Sequence, residues 1–126
     1  MGTNKMKRLF IVDDDPSILE IMSMVLSSSY DVKCFLSCLD CLSESRITPD
    51  LIFLDNLMKD CVGIKMIPDL NKKFPQSKIV LMSGNILLQN AKDISGIDLF
   101  IEKPFDLENL LLITKKLLIE EPVTLK

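Results

Sequence analysis

The sequence predicts a single α/β domain, an open parallel sheet with helices on both faces. Three observations carry that expectation. Leu51-Ile52-Phe53-Leu54 is an apolar run too short for a helix and reads as a strand buried on both sides, ending abruptly in Asp55. Comparable stretches, Arg8 to Val12, Asp31 to Phe35, Lys78 to Met82 and Leu99 to Glu102, alternate with helix-like segments along the chain. Four of the five strands end on a polar or charged group: Asp13, Asp55, Ser83 and Lys103. The carboxyl edge of an open α/β sheet is where ligands bind.

Each element has its own signal. After the first strand, Asp15 suits an N-cap and Pro16 the first helical position, with Ile18, Ile21, Met22, Val25 and Leu26 as the core stripe and Ser27-Ser28-Ser29 as the end. The second strand leads to Ser37-x-x-Asp40, which has the form of a capping box opening a short helix to about Ser45. Thr48-Pro49-Asp50 turns into the central strand. Beyond Asp55 a loop from Asn56 to Val62 precedes a third helix, Gly63 to Lys73, with Ile64, Ile67 and Leu70 inward. Pro68 inside that helix should kink it or delay its start, at up to ~3 kcal/mol. A fourth helix is expected over about Ile86 to Ile94, a stop at Ser95-Gly96, and a last helix from near Asp106 that fades by Glu120-Glu121-Pro122. Residues 1–6 read as an N-terminal tail or cloning remnant, 7–119 as the domain, and 120–126 as a tail or the start of a linker. Leu110 to Ile113 is too wide for one buried stripe. It fits either a well-buried last helix or an apolar patch shared with Leu87 and Leu88.

Composition narrows the function. The chain has 126 residues, 48% hydrophobic and 26% charged, with a net charge of −3 and interspersed signs. There is no electrostatic footprint for nucleic acid or an anionic membrane, and no apolar run of membrane-spanning length. With no signal-peptide core at the N-terminus, the expected location is cytoplasmic. The four cysteines, Cys34, Cys38, Cys41 and Cys61, fit reduced thiols that pack as small hydrophobes. Cys38-x-x-Cys41 has the spacing of redox and zinc sites, but a zinc site would need Cys34 and Cys61 from distant segments. The chain has no histidine, which removes Ser-His-Asp and Cys-His catalysis.

With the strands in the flavodoxin-like order 2-1-3-4-5, the first and third become neighbours and Asp13, Asp14 and Asp55 converge. Three carboxylates so close repel one another, and a hard divalent cation resolves the conflict. Lys103 and Ser83 flank the same cleft and would hold an anionic group delivered there. A carboxylate nucleophile, a metal, a cation and a hydroxyl together describe phosphoryl transfer to aspartate.

These residues resemble the receiver domain of two-component response regulators from about Lys7 to Leu118. Ile11-Val12-Asp13-Asp14 is similar to the family's acidic pair, and Asp55 with Met58 and Gly63 behind it to the phosphoacceptor segment. Ser83-Gly84 resembles the switch Thr/Ser with its small neighbour, Phe100 the switch aromatic, and Lys103-Pro104-Phe105 the lysine segment. The resemblance implies that Asp55 accepts a phosphoryl group from a histidine kinase or histidine phosphotransfer protein. It implies that Asp14, Asp55 and the Leu57 carbonyl bind magnesium (or manganese) directly, with Asp13 acting largely through water. It implies that Lys103 pairs with phosphoryl oxygens, that the Lys103-Pro104 bond is cis, and that Ser83 and Phe100 switch a partner-binding surface. Such a domain is a signalling phosphoacceptor that catalyses only its own phosphorylation and dephosphorylation. A homodimer would form through the fourth helix, fifth strand and last helix.

The chain departs from the family pattern at Lys59, where proline is usual, at Val62, where aspartate is common, at Pro68, and in a short interval from Ser83 to Gly96. The rival reading is a haloacid-dehalogenase-like phosphatase with Asp13-x-Asp15 as first motif, Asp13 as nucleophile, and Ser83 and Lys103 as later motifs. It leaves Asp55 idle, and 126 residues give no room for the usual cap.

Overall fold

The computed structural model describes residues 6–84 and 94–119. Five parallel strands, β1 (Arg8–Val12), β2 (Asp31–Phe35), β3 (Leu51–Asp55), β4 (Lys78–Ser83) and β5 (Leu99–Glu102), form one sheet in the order β2-β1-β3-β4-β5. That is the expected topology. The central strand is buried along its whole length, as its unbroken apolar run requires. The β1–β3 and β3–β4 registers pair Val12 with Leu54 and Asp55 with Met82, so the strand ends line up along one edge.

Four described helices cover the sheet: α1 (Pro16–Leu26), α2 (Cys38–Leu42), α3 (Gly63–Lys73) and α4 (Leu107–Leu118). The expected helix over Ile86 to Ile94 lies outside the described residues, except for Ile94. Helices α1 and α4 share one core with Leu9, Ile11, Leu51 and Phe53, while α2 and α3 share the other with Phe10, Val12, Ile52 and Leu54. In the second core the Phe10 ring meets Phe35 and Phe74 edge-on, at 4.8 and 5.7 Å between centroids.

Local signals held with three adjustments. Asp15 caps α1, its carboxylate accepting from the Ser17 amide with Pro16 next in line. The buried stripe of α1 is Leu19, Met22 and Leu26, and Ile21 faces outward instead. Ser37 caps α2 as expected, but the helix stops at Leu42, short of Ser45. Helix α3 begins at Gly63 and runs on through Pro68, which is exposed, so its start is not delayed. In α4, Leu110 is fully buried and Leu111 and Ile113 pack on the core, while Leu112 points out. Most of that apolar run is therefore core, and Leu87 and Leu88 lie outside the described residues. Among the described residues no helix is long and apolar enough to cross a membrane.

The cysteines correct the sequence expectation. Cys38 at the start of α2 and Cys61 in the β3–α3 loop are joined in a disulfide, with 6.6 Å between their Cα atoms, within the ordinary range for a bridge. Cys41, the nominal C-x-x-C partner, is a free buried thiol pushed up to about 12 by burial, and Cys34 is free and exposed. Pairing follows the spatial approach of loop and helix, which sequence spacing does not encode.

Candidate phosphoacceptor site

The carboxyl edge of the sheet gathers the predicted charges. Asp13, just past β1, is 1% exposed, and Asp55, the last residue of β3, is 5% exposed. Asp14 is half-buried beside them, and the three residues each bring a carboxylate oxygen within 4.8 Å of the others. The Lys103 ammonium sits between two of them, its Nζ 2.9 Å from Asp13 Oδ2 and 2.9 Å from Asp55 Oδ1. Among the described residues one cation thus faces three carboxylates. Burial pushes the Asp55 carboxyl above the usual range, with Asp13 and Asp14 adding to the rise and the Lys103 hydrogen bond opposing it. For Lys103, burial works to lower the ammonium's pKa, but the bonds to Asp55 and Asp13 and their charge outweigh it and raise it.

The remaining polar groups fix this arrangement. Asp13 Oδ1 accepts from the Asp15 amide at 3.0 Å, and Asp14 Oδ2 accepts from the Lys59 amide at 2.8 Å. Ser83 at the end of β4 is buried, and its carbonyl accepts from the Lys103 amide at 2.9 Å. The Lys103-Pro104 peptide is cis, as the resemblance implies. Leu57 lies exposed at the start of the loop, bridged to Val62. Phe100 is half-buried opposite Leu81, set back from the acids, with its side chain among the α2–α3 core. The register puts Ser83 two residues beyond Leu81, hence on the same side of the pleat as Phe100.

One supporting residue escaped the sequence reading. Asn56 is buried, its side chain accepts from the Ile64 amide at 3.0 Å and its carbonyl from the Gly63 amide at 2.6 Å, so it closes the loop onto α3. An Asn a few residues before a helix start is the signal that could have found it. At Gly63 a Cβ would lie 2.5 Å from the Asp55 carbonyl oxygen and 3.0 Å from the Asn56 Cα, both backbone atoms that cannot swing away. Gly63→Ala should therefore destabilise the domain by ~1–3 kcal/mol, the usual scale of overpacking. Urea denaturation checks this, and an unchanged midpoint would show that the loop yields freely.

The chain matches the family model of the response regulator receiver domain over residues 9–115. The chain belongs to that family. RpaA, a DNA-binding dual master transcriptional regulator of Synechocystis sp., is 30% identical over 122 residues, covering 90% of this chain and 49% of that protein. The receiver thus corresponds to about half the length of that relative. TrrA from Thermotoga maritima, solved in complex with Mg2+-BeF, has a TM-score of 0.80 at 27% identity over 90% of this chain and all of that one (100%). The beryllofluoride-activated NtrC4 receiver domain dimer has a TM-score of 0.77 at 27% identity, over 89% of this chain and 96% of that one. The phosphatase reading fails against this membership. Asp55 stands at the centre of the site, and both oxygens of Asp13 are already engaged by Asp15 and Lys103.

Proposed function

We propose that residues 7–119 act as a receiver in which Asp55 accepts a phosphoryl group from a histidine kinase or histidine phosphotransfer protein in the cytoplasm. The observation that carries this is the Lys103 ammonium held 2.9 Å from Asp55 at the mouth of the central strand. An ionised Asp55 oxygen attacks phosphorus; the oxygen–phosphorus bond forms as the bond to the donor's imidazole nitrogen breaks. Lys103 shifts from pairing two carboxylates to pairing one and a phosphoryl oxygen. The domain so read is a phosphoacceptor that promotes only its own phosphorylation and dephosphorylation.

The acidic cluster fits magnesium (or manganese), because three carboxylates within 4.8 Å share one ammonium and the burial of Asp55 already penalises its charge. Asp14, Asp55 and the Leu57 carbonyl would hold the ion, and Asp13, with both oxygens occupied, would act through water. When bound, the ion neutralises carboxylate and phosphoryl charge together.

For output, the Ser83 hydroxyl would donate to a phosphoryl oxygen and Phe100 would turn inward into the space it leaves. The change would reach a homodimer face made by β5, α4 and the helix expected over Ile86 to Ile94. A full shift from 1:99 to 99:1 takes ~5.5 kcal/mol, whereas one charge-assisted hydrogen bond supplies roughly 1.5–3 kcal/mol, so Ser83 acting alone would switch partially. No nucleic acid or membrane contact is assigned to this domain.

Treatment with magnesium and a small phosphodonor should add a single base-labile phosphoryl group, read by intact mass. Uptake should vanish in Asp55→Asn; persistence there would sink the assignment, and loss in Asp13→Asn alone would revive the phosphatase chemistry. Sedimentation of beryllofluoride-treated protein should show tighter self-association than untreated protein or treated Ser83→Ala. Equal association in all three places the output surface elsewhere.

A further inference from the structure

The phosphoacceptor chemistry does not use Asp60 or Cys61, yet these residues bind the β3–α3 loop to α2. Asp60 accepts from the Cys38 amide at 3.1 Å and the Leu39 amide at 3.4 Å, and Cys61 is bonded through sulfur to Cys38. Nearer the acids, the same loop is tied to the site by the Lys59 amide on Asp14 Oδ2. The loop is strung between two anchors, one covalent and one on a carboxylate of the acidic cluster. We propose that Cys38 and Cys61 form a reversible thiol–disulfide latch that sets how readily the β3–α3 loop releases Asp14 to a divalent cation. This rests on reading the cluster as the cation and phosphoryl site.

The two sulfurs are matched to each other. Cys41, one turn along α2, is buried with its thiol held protonated, so it supplies little thiolate to compete. Cys38 is 3% exposed and Cys61 half-buried, so a soluble oxidant reaches Cys61 first. The Cys61 thiolate attacks one sulfur of a small disulfide of the glutathione class, and one small thiol leaves, taking up a proton. Cys38 loses its proton to water and attacks the Cys61 sulfur of the mixed disulfide, expelling the second small thiol. The protein gives up two electrons and the small disulfide becomes two thiols; excess thiol reverses both steps. Disulfides that come and go with redox state are the kind met in reducing compartments.

The bond joins positions 23 residues apart and encloses β3 with Asp55. In the disulfide form, drawing the Lys59 amide away from Asp14 must deform a covalently closed loop. In the dithiol form the Asp60 hydrogen bonds and the packing of Met58 and Cys61 against the α2–α3 core restrain that side without a covalent tie. A charge-assisted hydrogen bond corresponds to roughly tenfold or more in an equilibrium constant, so the oxidised protein should bind magnesium about tenfold more weakly than the reduced protein.

The test uses the whole chain equilibrated with glutathione disulfide or with excess dithiothreitol. Denatured samples should titrate two thiols after oxidation and four after reduction. Magnesium affinity, read from the shift of the unfolding midpoint, should be about tenfold weaker in the oxidised form, and exchange of the Lys59 amide slower. Cys61→Ser should behave as the reduced protein under both conditions. Cys38→Ser under glutathione disulfide should stop at the Cys61 mixed disulfide, read by intact mass, with no intramolecular bond and the magnesium affinity of the reduced protein. Four thiols remaining under glutathione disulfide overturns the latch. So does a disulfide that forms while affinity and Lys59 exchange stay equal. Phosphoryl uptake by the reduced protein is the separate control: its absence in both redox states refutes the reading of the site, while thiol count and Lys59 exchange still judge the latch.

Discussion

Replacing Lys103 with methionine should cost the domain about 3 kcal/mol at neutral pH in the presence of a chelator. The ammonium is the shared partner of Asp13 and Asp55, both nearly inaccessible to water. Removing one member of a buried ion pair leaves an uncompensated charge and typically costs 3–5 kcal/mol. The Lys103 side chain is 23% exposed, so water can enter the space it leaves, which sets the lower end of that range. Even so, the loss is a large fraction of the ~5–15 kcal/mol that holds a domain together. The pH profile carries a second signature. Because the folded-state pKa of Lys103 is raised, its contribution is complete below the unfolded value of 10.5 and fades as pH rises through the raised value. Urea denaturation at neutral and alkaline pH measures both effects: wild type should weaken at the alkaline end, and Lys103→Met should lose the share of that limb that Lys103 contributes while keeping the share from the raised Cys41 thiol. A loss under ~1 kcal/mol at neutral pH would mean the two carboxylates are solvated and the pairing is a surface one.

How much of this was legible in the sequence depends on range. The strands were readable because a buried parallel strand has to be apolar on both faces, and Leu51 to Leu54 or Ile79 to Met82 satisfies only that reading. The alternation of elements implied a parallel sheet, and the flavodoxin-like order adopted for it placed Asp13, Asp14, Asp55 and Lys103 together. Caps at Asp15 and Ser37 were legible because a cap is a contact within three residues, whereas at Asp106 only the start of the helix was read and not its capping role. Contacts across the fold were not. The Asp50 carboxylate accepts from the Arg8 amide and the Asp98 carboxylate from the Ile79 amide, anchoring the amino ends of the strands, and nothing local marks either residue. Nor does anything local mark Cys61 as the partner of Cys38, or the Lys59 amide as a ligand of Asp14. Ile21 was assigned inward by helical spacing, yet Leu19 took the buried position. Periodicity gives the width of a stripe but not its rotation against a particular sheet.

Magnesium at a hundredfold excess over its dissociation constant should stabilise the reduced domain by roughly 2.7 kcal/mol, the mass-action gain for a ligand bound only by the folded chain. The demand for a cation is written in the charge count of the site, three carboxylates against one ammonium. Burial is the leading cause of the raised Asp55 pKa, and Asp13 and Asp14 add to it. A carboxyl whose folded-state pKa is raised binds protons more tightly when folded. Stability without metal therefore falls as pH climbs from the unfolded value of 3.8 through the raised one, and stays reduced at neutral pH. Below 3.8 Asp55 is protonated and the penalty is gone. The magnesium gain should follow the same course in reverse, full at neutral pH and disappearing as Asp55 takes up its proton and ceases to be a ligand. Two variants separate this from a general salt effect. Asp55→Asn should raise the unfolding midpoint in chelator, since it removes a buried charge from a crowded set, and should gain little from magnesium. Asp14→Asn should also lose most of the gain, because it deletes a ligand of the proposed site. If the midpoint of the reduced wild type at neutral pH is the same in chelator and in saturating magnesium, the acidic edge does not assemble a cation site, and Lys103 alone balances it.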